Sequence, residues 1–93
     1  MHKDLQYYLL HYSDRFDQDV SKMITRENVS SEKDANRLIE FIDVLYDSST
    51  LDLEKGKFII DENVDTYAAE EGAVAILGIL RANNFNSLAD NWM

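Results

Sequence analysis

Carboxylate side chains are the residues of this sequence whose number and spacing could do chemistry. The chain has 18 Asp and Glu against 9 Lys and Arg, which makes its formal net charge −9. The segment 31–71 holds twelve of the acidic residues and only four basic ones, whereas the segments on either side are close to neutral. A block of one charge sign favours a charged face, and such a face attracts a partner of the opposite charge.

The spacing of the acidic residues places several of them on one side of a predicted second helix. Glu40, Asp43 and Asp47 fall within about 60° of one another at about 100° per residue, opposite the apolar side. Val44 lies beside this row, and Tyr46 could anchor a contact. More acidic residues follow around the next predicted element. The candidate partner-binding residues are Glu40, Asp43, Val44, Tyr46, Asp47, Asp52, Glu54, Asp61, Glu62 and Asp65.

Two interpretations of these acidic residues stay open. They can form a binding surface that uses long-range attraction to capture a basic protein. They can also be a solvated face that only keeps the protein in solution. Any single acid is better explained by solvation, whereas the block as a whole fits both interpretations equally. Glu32 and Asp34 are explained as helix-start residues, and Glu70 and Glu71 as polar positions before an apolar run.

The sequence lacks the residue patterns that metal binding or catalysis would require. The oxygen-rich segments Asp47–Glu54 and Asp61–Asp65 lack the alternating ligands and central glycine of a calcium loop. Ser13, His11 and Asp14 offer triad residue types, but helix neighbours one and two apart do not face each other. With no cysteine, a thiolate zinc site and a cysteine nucleophile are excluded. We therefore predict no catalytic residue, no metal and no cofactor.

Apolar periodicity predicts the first two elements that would position these side chains. Steps of three and four predict a first helix of about five turns, from Leu5 to Ile24. A second helix should begin after Ser30 and Ser31, because serine can cap free backbone N–H groups. The polar run 47–50 should end it. The core side of this second helix is predicted to consist of Ala35, Leu38, Ile42 and Leu45, widened by Ile39 and Tyr46.

The residues that follow change their period from that of a helix to that of a strand. Leu51 and Leu53 alternate with acidic residues, Gly56 offers a tight turn, and residues 57–61 read as a second strand. We expect this small β-hairpin to pack on the helices, because a two-stranded hairpin is marginal alone. A loop that leads into a short helix is the competing interpretation.

A third helix is predicted from about residues 63–65 to Ala82, and it should close at Asn83 and Asn84. A short last helix should begin near Ser87. The predicted fold class is α+β, mostly helical, in the order α-α-β-β-α-α, as one domain over residues 1–93. An all-α four-helix bundle is the alternative.

The third predicted helix also suggests contact with another helix. Its second half, Ala73–Leu80, is apolar on every side, which predicts burial all round and points to a possible homodimer. Small residues on one side would let another backbone approach closely, and packing of the first helix there is favoured over a subunit contact. These small residues are Ala68, Gly72, Ala75, Gly78 and Ala82.

The leading functional hypothesis is a non-enzymatic protein that binds and neutralises a basic partner, as an immunity protein, an antitoxin or an anti-defence inhibitor would. The partner would be a toxin, a nuclease or a nucleic-acid-binding protein, and the chain itself should repel nucleic acid. The alternative is a structural or adaptor subunit that oligomerises through the third helix. No secretory signal and no apolar run near the roughly 20 residues of a membrane span are present, so we expect a soluble, cytoplasmic protein.

Overall fold

Five α-helices form the described part of the chain. The computed structural model describes residues 1–55 and 68–92. In chain order the helices are α1 (Lys3–Phe16), α2 (Gln18–Arg26), α3 (Glu32–Lys55), α4 (Ala68–Ala82) and α5 (Asn86–Trp92). No strand occurs within these two ranges. The predicted α+β fold is therefore wrong, and the all-α alternative agrees with the structure, with five described helices rather than four.

The predicted β-hairpin fails at its first strand. Residues 51–54 lie in the last part of α3, which passes through the polar run 47–50 and ends at Lys55. Serine and threonine cost a helix well under ~1 kcal/mol each relative to alanine, so a short polar run does not have to end it. A short alternating run also cannot by itself distinguish a strand from a helix. The predicted second strand, residues 57–61, and the predicted start of the third helix lie outside the described residues.

The predicted first helix is two helices, because the chain breaks at Asp17. Asp17 has an extended backbone (φ −162°, ψ 114°), and its N–H donates to the Ser13 carbonyl at 2.8 Å. Its carboxylate accepts from the N–H of Asp19 at 3.0 Å and thereby caps α2. Aspartate favours such a cap because its short side chain competes for backbone N–H groups. The apolar spacing continues through the break, so periodicity alone predicted one helix.

A chain of side-chain hydrogen bonds joins α1 to α2 across this break. The Ser21 hydroxyl donates to the Asp14 carboxylate at 2.6 Å, and it lies 2.7 Å from the Ser13 hydroxyl. Because Ser21 gives its proton to Asp14, Ser13 is the donor in the second bond. Ser13 is fully buried and Ser21 nearly so. A buried hydroxyl without a partner would be costly, so this network favours one angle between the two helices.

The core lies where α3 packs against α1 and α4. Ala35, Leu38, Ile42 and Leu45 are fully buried, which confirms the centre of the predicted inner side, whereas Ile39 is half-buried and Tyr46 is 40% exposed. Fully burying a leucine or isoleucine side chain is worth about 1.5–3 kcal/mol, so these residues contribute strongly to the stability of the fold. The largest fully buried aliphatic side chains are Leu9 of α1, Ile24 of α2, Leu38, Ile42 and Leu45 of α3, and Ile76 and Leu80 of α4.

The end of α4 agrees with the prediction. The helix ends at Ala82, and Asn84 has the left-handed conformation (φ 70°) that asparagine tolerates. Asn83 adds a contact that the sequence did not predict. Its Oδ1 accepts from the N–H of Val29 at 3.1 Å, and its Nδ2 donates to the Glu27 carbonyl at 3.2 Å. The turn after α4 is therefore tied to the turn after α2.

The expected all-round burial of Ala73–Leu80 is wrong. Val74 is 65% exposed and Gly78 is exposed, while the other apolar positions of the run face the core or its edge. One helix in a bundle of this size has neighbours on only part of its circumference, so an apolar residue can face outward. The first helix packs at Gly72, where Leu9 and Tyr8 approach it, but Gly78 and Ala82 of the predicted small-residue side are exposed. The monomer therefore explains most of the apolar surface that suggested a dimer.

Candidate functional site

The exposed side of α3 carries the described part of the predicted acidic surface. Ser31 precedes this helix, and its hydroxyl accepts from the N–H of Asp34 at 3.2 Å, as the predicted cap requires. From there the register turns Leu38, Ile42 and Leu45 inward, so Glu40, Asp43 and Asp47 point outward. All three carboxylates are exposed. One 24-residue helix thus holds them in a row.

The carboxylates of this row form no salt bridge with a side chain of residues 1–47 or 69–92, the part of the chain whose side chains are described. We call these three residues the acidic row. Like charges separated by one or two helical turns repel weakly in water, and that repulsion is relieved when a cation or a basic side chain approaches.

The acids near the start of α3 behave differently, because Arg37 pairs with three of them. Its Nε lies 3.0 Å from Asp17, and one terminal nitrogen lies 2.9 Å from Asp19 and 3.5 Å from Asp34. The negative charge of Asp17, and then the hydrogen bond to Asp19, raise the pKa of the Arg37 guanidinium above its usual value. Arg37 therefore offsets part of the negative charge near the start of α3, whereas the acidic row beyond it has no such pairing among the described side chains.

The two predicted anchor residues flank the acidic row. Val44 is half-buried and packs on the edge of the core. Tyr46 is 40% exposed, and its ring is stacked on that of Trp92 in α5, with the centroids 6.3 Å apart and an angle of 18° between the planes. The sequence did not predict this contact, since no local pattern marks a pairing between residues so distant in sequence. Part of the Tyr46 side chain therefore stays open to solvent while its ring is held against Trp92.

The structure places half of the predicted site and leaves the rest undescribed. Glu40, Asp43, Val44, Tyr46 and Asp47 lie together on the outer part of α3. The helix also contains Asp52 and Glu54, which the prediction assigned to a strand; their side chains lie outside the described residues. Asp61, Glu62 and Asp65 lie outside the described residues altogether. Their part in the surface stays a prediction.

The possible chemistry of the other candidate groups is limited by what they contact. Within the described ranges, no three His, Asp or Glu side chains lie close enough to hold a metal ion. The triad-like set does not assemble: Ser13 bonds to Ser21, and Asp14 accepts from Ser21 in the α1–α2 network. Two segments were considered above as calcium loops. In the first, Asp47–Glu54, every side chain after Asp47 lies outside the described residues. The second, Asp61–Asp65, lies outside them altogether.

Among the described residues, no helix has the length and hydrophobicity needed to cross a bilayer.

Comparison with known proteins does not assign the chain to a family. The chain matches no protein-family model. No curated protein and no solved structure is significantly similar to it.

Proposed function

We propose that this protein binds a basic protein through the exposed side of α3 and neutralises it by covering its positively charged surface. The observation that carries the proposal is the acidic row, whose three carboxylates are exposed and form no salt bridge within the described residues. Arginine or lysine side chains of a partner would supply the missing counter-charges. A nuclease, a toxin or a nucleic-acid-binding protein with a basic cleft presents such side chains.

In the proposed mechanism, charge speeds association and apolar contact slows dissociation. The field of a chain with a net charge of −9 attracts a basic partner over a distance of about the Debye length and raises the rate of association. Exposed carboxylates add little affinity by themselves, because each exposed ion pair contributes about 0–1 kcal/mol. Tyr46 and Val44 would provide the apolar contact that slows dissociation. Inhibition would then follow from occlusion, without any covalent step.

The test begins with capture of partners on the immobilised protein at low salt, followed by kinetics with the purified partner. We expect the double reversal Asp43→Lys with Asp47→Lys to slow association by about tenfold at low salt, and the difference to shrink at high salt. If the partner is a nuclease, the wild-type chain should block cleavage of nucleic acid and the double variant should block it less.

A matched control separates a local effect from a change in net charge. Asp4 in α1 and Glu27 at the end of α2 are exposed, and reversing both changes the net charge by the same amount. We expect the Asp4→Lys, Glu27→Lys variant to slow association far less than the α3 variant. An association rate that responds neither to ionic strength nor to the α3 reversals contradicts the proposed function.

A further inference from the structure

The outward side of α4 carries an apolar groove with an acidic edge. The groove has a volume of about 510 Å³ and is open to solvent, and it lies between the start of α1 and the first half of α4. Leu5, Val74 and Ala75 provide its apolar surface, and Glu70 and Glu71 provide its acidic edge. Val74 is 65% exposed. The groove therefore leaves this β-branched apolar side chain open to solvent beside two carboxylates.

The charges along this groove have no counter-charge in the described part of the chain. Glu70 and Glu71 precede Val74 by four and three residues, so they lie one turn away on the same side of the helix. Both are exposed, and neither forms a salt bridge within the described ranges. Arg81 is the one basic residue of α4, and it bonds to Asp90 at 3.2 Å. Glu70 and Glu71 lie in the first turn of α4, where negative charge suits the helix dipole. The helix dipole accounts for these two acids but not for the apolar surface beside them.

We propose that this groove is a second docking site for the basic partner, and that it takes an amphipathic helix with lysine or arginine beside its apolar face. An apolar side chain of that helix would lie against Leu5, Val74 and Ala75, and its basic side chains would pair with Glu70 and Glu71. This inference rests on the proposed function and specifies the partner further. The partner must present an apolar residue within its basic surface, because charge alone would leave Val74 exposed.

Charge complementarity favours this occupant over a second copy of the chain or a membrane surface. A second copy carries a net charge of −9 and would bring its own Glu70 and Glu71 to the contact. An anionic lipid surface would be repelled by the same two carboxylates. A basic amphipathic helix buries the apolar surface and neutralises the carboxylates at the same time.

Two synthetic peptides provide the probe. The first is a helix of about four turns with leucines on one face and lysines on the other. The second is an oligolysine with the same number of lysines. Titration of each labelled peptide with the protein, followed by fluorescence anisotropy, should show about tenfold or tighter binding of the amphipathic peptide, because burial of one leucine accounts for that ratio. Equal affinities would overturn the proposal.

Variants of α4 locate the site. Val74→Asp should weaken binding of the amphipathic peptide by about tenfold, although it adds a negative charge that would otherwise favour a basic ligand. Val74→Ala should cause a smaller loss and keeps the proposal testable if Val74→Asp perturbs folding. Ala82→Asp adds the same charge at an exposed position two turns further along the helix, and it should not weaken binding. If Val74→Asp and Ala82→Asp behave alike, the groove is not the site.

The same variants distinguish this inference from the proposed function. If reversal of Asp43 and Asp47 slows association with the protein partner but Val74→Asp leaves its affinity unchanged, the α3 surface stands and the groove proposal falls. If Val74→Asp weakens the partner while the α3 reversals do nothing, the groove stands and the α3 surface falls. If light scattering shows a dimer that Val74→Asp converts to monomer, a second copy covers the groove, and the proposal is overturned.

Discussion

At the scale of single residues, Gly72 and Gly78 show how one helix can use the same residue type in opposite environments. A Cβ at Gly72 would lie 3.0 Å from the Leu45 and Leu9 side chains and 3.4 Å from Tyr8. A Cβ at Gly78 would have no atom within 4 Å. Glycine in a helix interior costs about 1 kcal/mol relative to alanine, whatever surrounds it. At Gly72 the close approach of α1 and α3 offsets that cost, and at Gly78 nothing in the described residues does.

The two glycines therefore make a matched pair for measurement. We expect Gly78→Ala to stabilise the fold by about 0.5–1 kcal/mol, because it gains helix propensity without a clash. Gly72→Ala gains the same propensity but forces its methyl group against two fully buried leucines, and overpacking costs about 1–3 kcal/mol. Thermal melts followed by circular dichroism should show a higher Tm for Gly78→Ala and an equal or lower Tm for Gly72→Ala. A higher Tm for Gly72→Ala would contradict this prediction. It would mean that the Leu9 and Leu45 side chains can move aside to admit the methyl group.

At the scale of elements, the junction between α1 and α2 is held by polar contacts from three directions. Asp17 caps α2 and pairs with Arg37 of α3 at 3.0 Å. The Ser13–Ser21 hydrogen bond lies on the buried side of the same junction. Arg37 thus connects the start of α2 to the start of α3, and its planar guanidinium can serve several carboxylates at once. The bend is specified by these side chains and not by a glycine or a proline.

This arrangement predicts that Arg37 matters more than a typical surface cation. Arg37→Gln should lower the Tm, because it leaves Asp17, Asp19 and Asp34 close together without their counter-charge. The loss should shrink in high salt, which screens repulsion between the carboxylates. Lys22→Gln removes the same charge from an exposed position of α2 that has no salt bridge within the described ranges, and it controls for the change in net charge. Equal Tm shifts in the two variants would contradict the role of Arg37.

At the scale of the whole molecule, α5 belongs to the same core as the longer helices. Ala89 is fully buried, and Trp92 is stacked on Tyr46 of α3. The chain has one tryptophan, so its fluorescence reports on the contact between α5 and α3. A partner that binds at Tyr46 should also change this signal, which gives a label-free assay for the proposed surface.

The shared core predicts that α5 unfolds together with the rest. Thermal unfolding followed by Trp92 fluorescence and by far-UV circular dichroism should give coincident transitions, as expected for a small cooperative domain. The physical reason is that release of α5 would expose Ala89, break the Trp92–Tyr46 contact and uncover the edge of the core. Each of these changes is unfavourable while the rest of the core is folded. A fluorescence transition clearly below the dichroism transition would show that α5 separates first, contrary to this prediction.

The sequence by itself determined those features that depend on neighbours along the chain. The inward side of α3, the serine cap before it, the left-handed asparagine after α4 and the outward row of Glu40, Asp43 and Asp47 all follow from local periodicity and side-chain hydrogen bonding. The same local signals failed where they were ambiguous. Alternation over residues 51–54 resembled a strand, and unbroken apolar spacing concealed the capping role of Asp17.

Only the tertiary structure decided how surface charge and apolar area are distributed. It showed that Arg37 pairs with three acids around the start of α3, whereas the acidic row has no counter-charge among the described side chains. It also showed that Val74, inside an apolar run, faces outward beside Glu70 and Glu71. The physical reason is the same in both cases. Pairing and burial depend on which residues from distant parts of the chain come within a few ångströms, and that depends on how the helices pack.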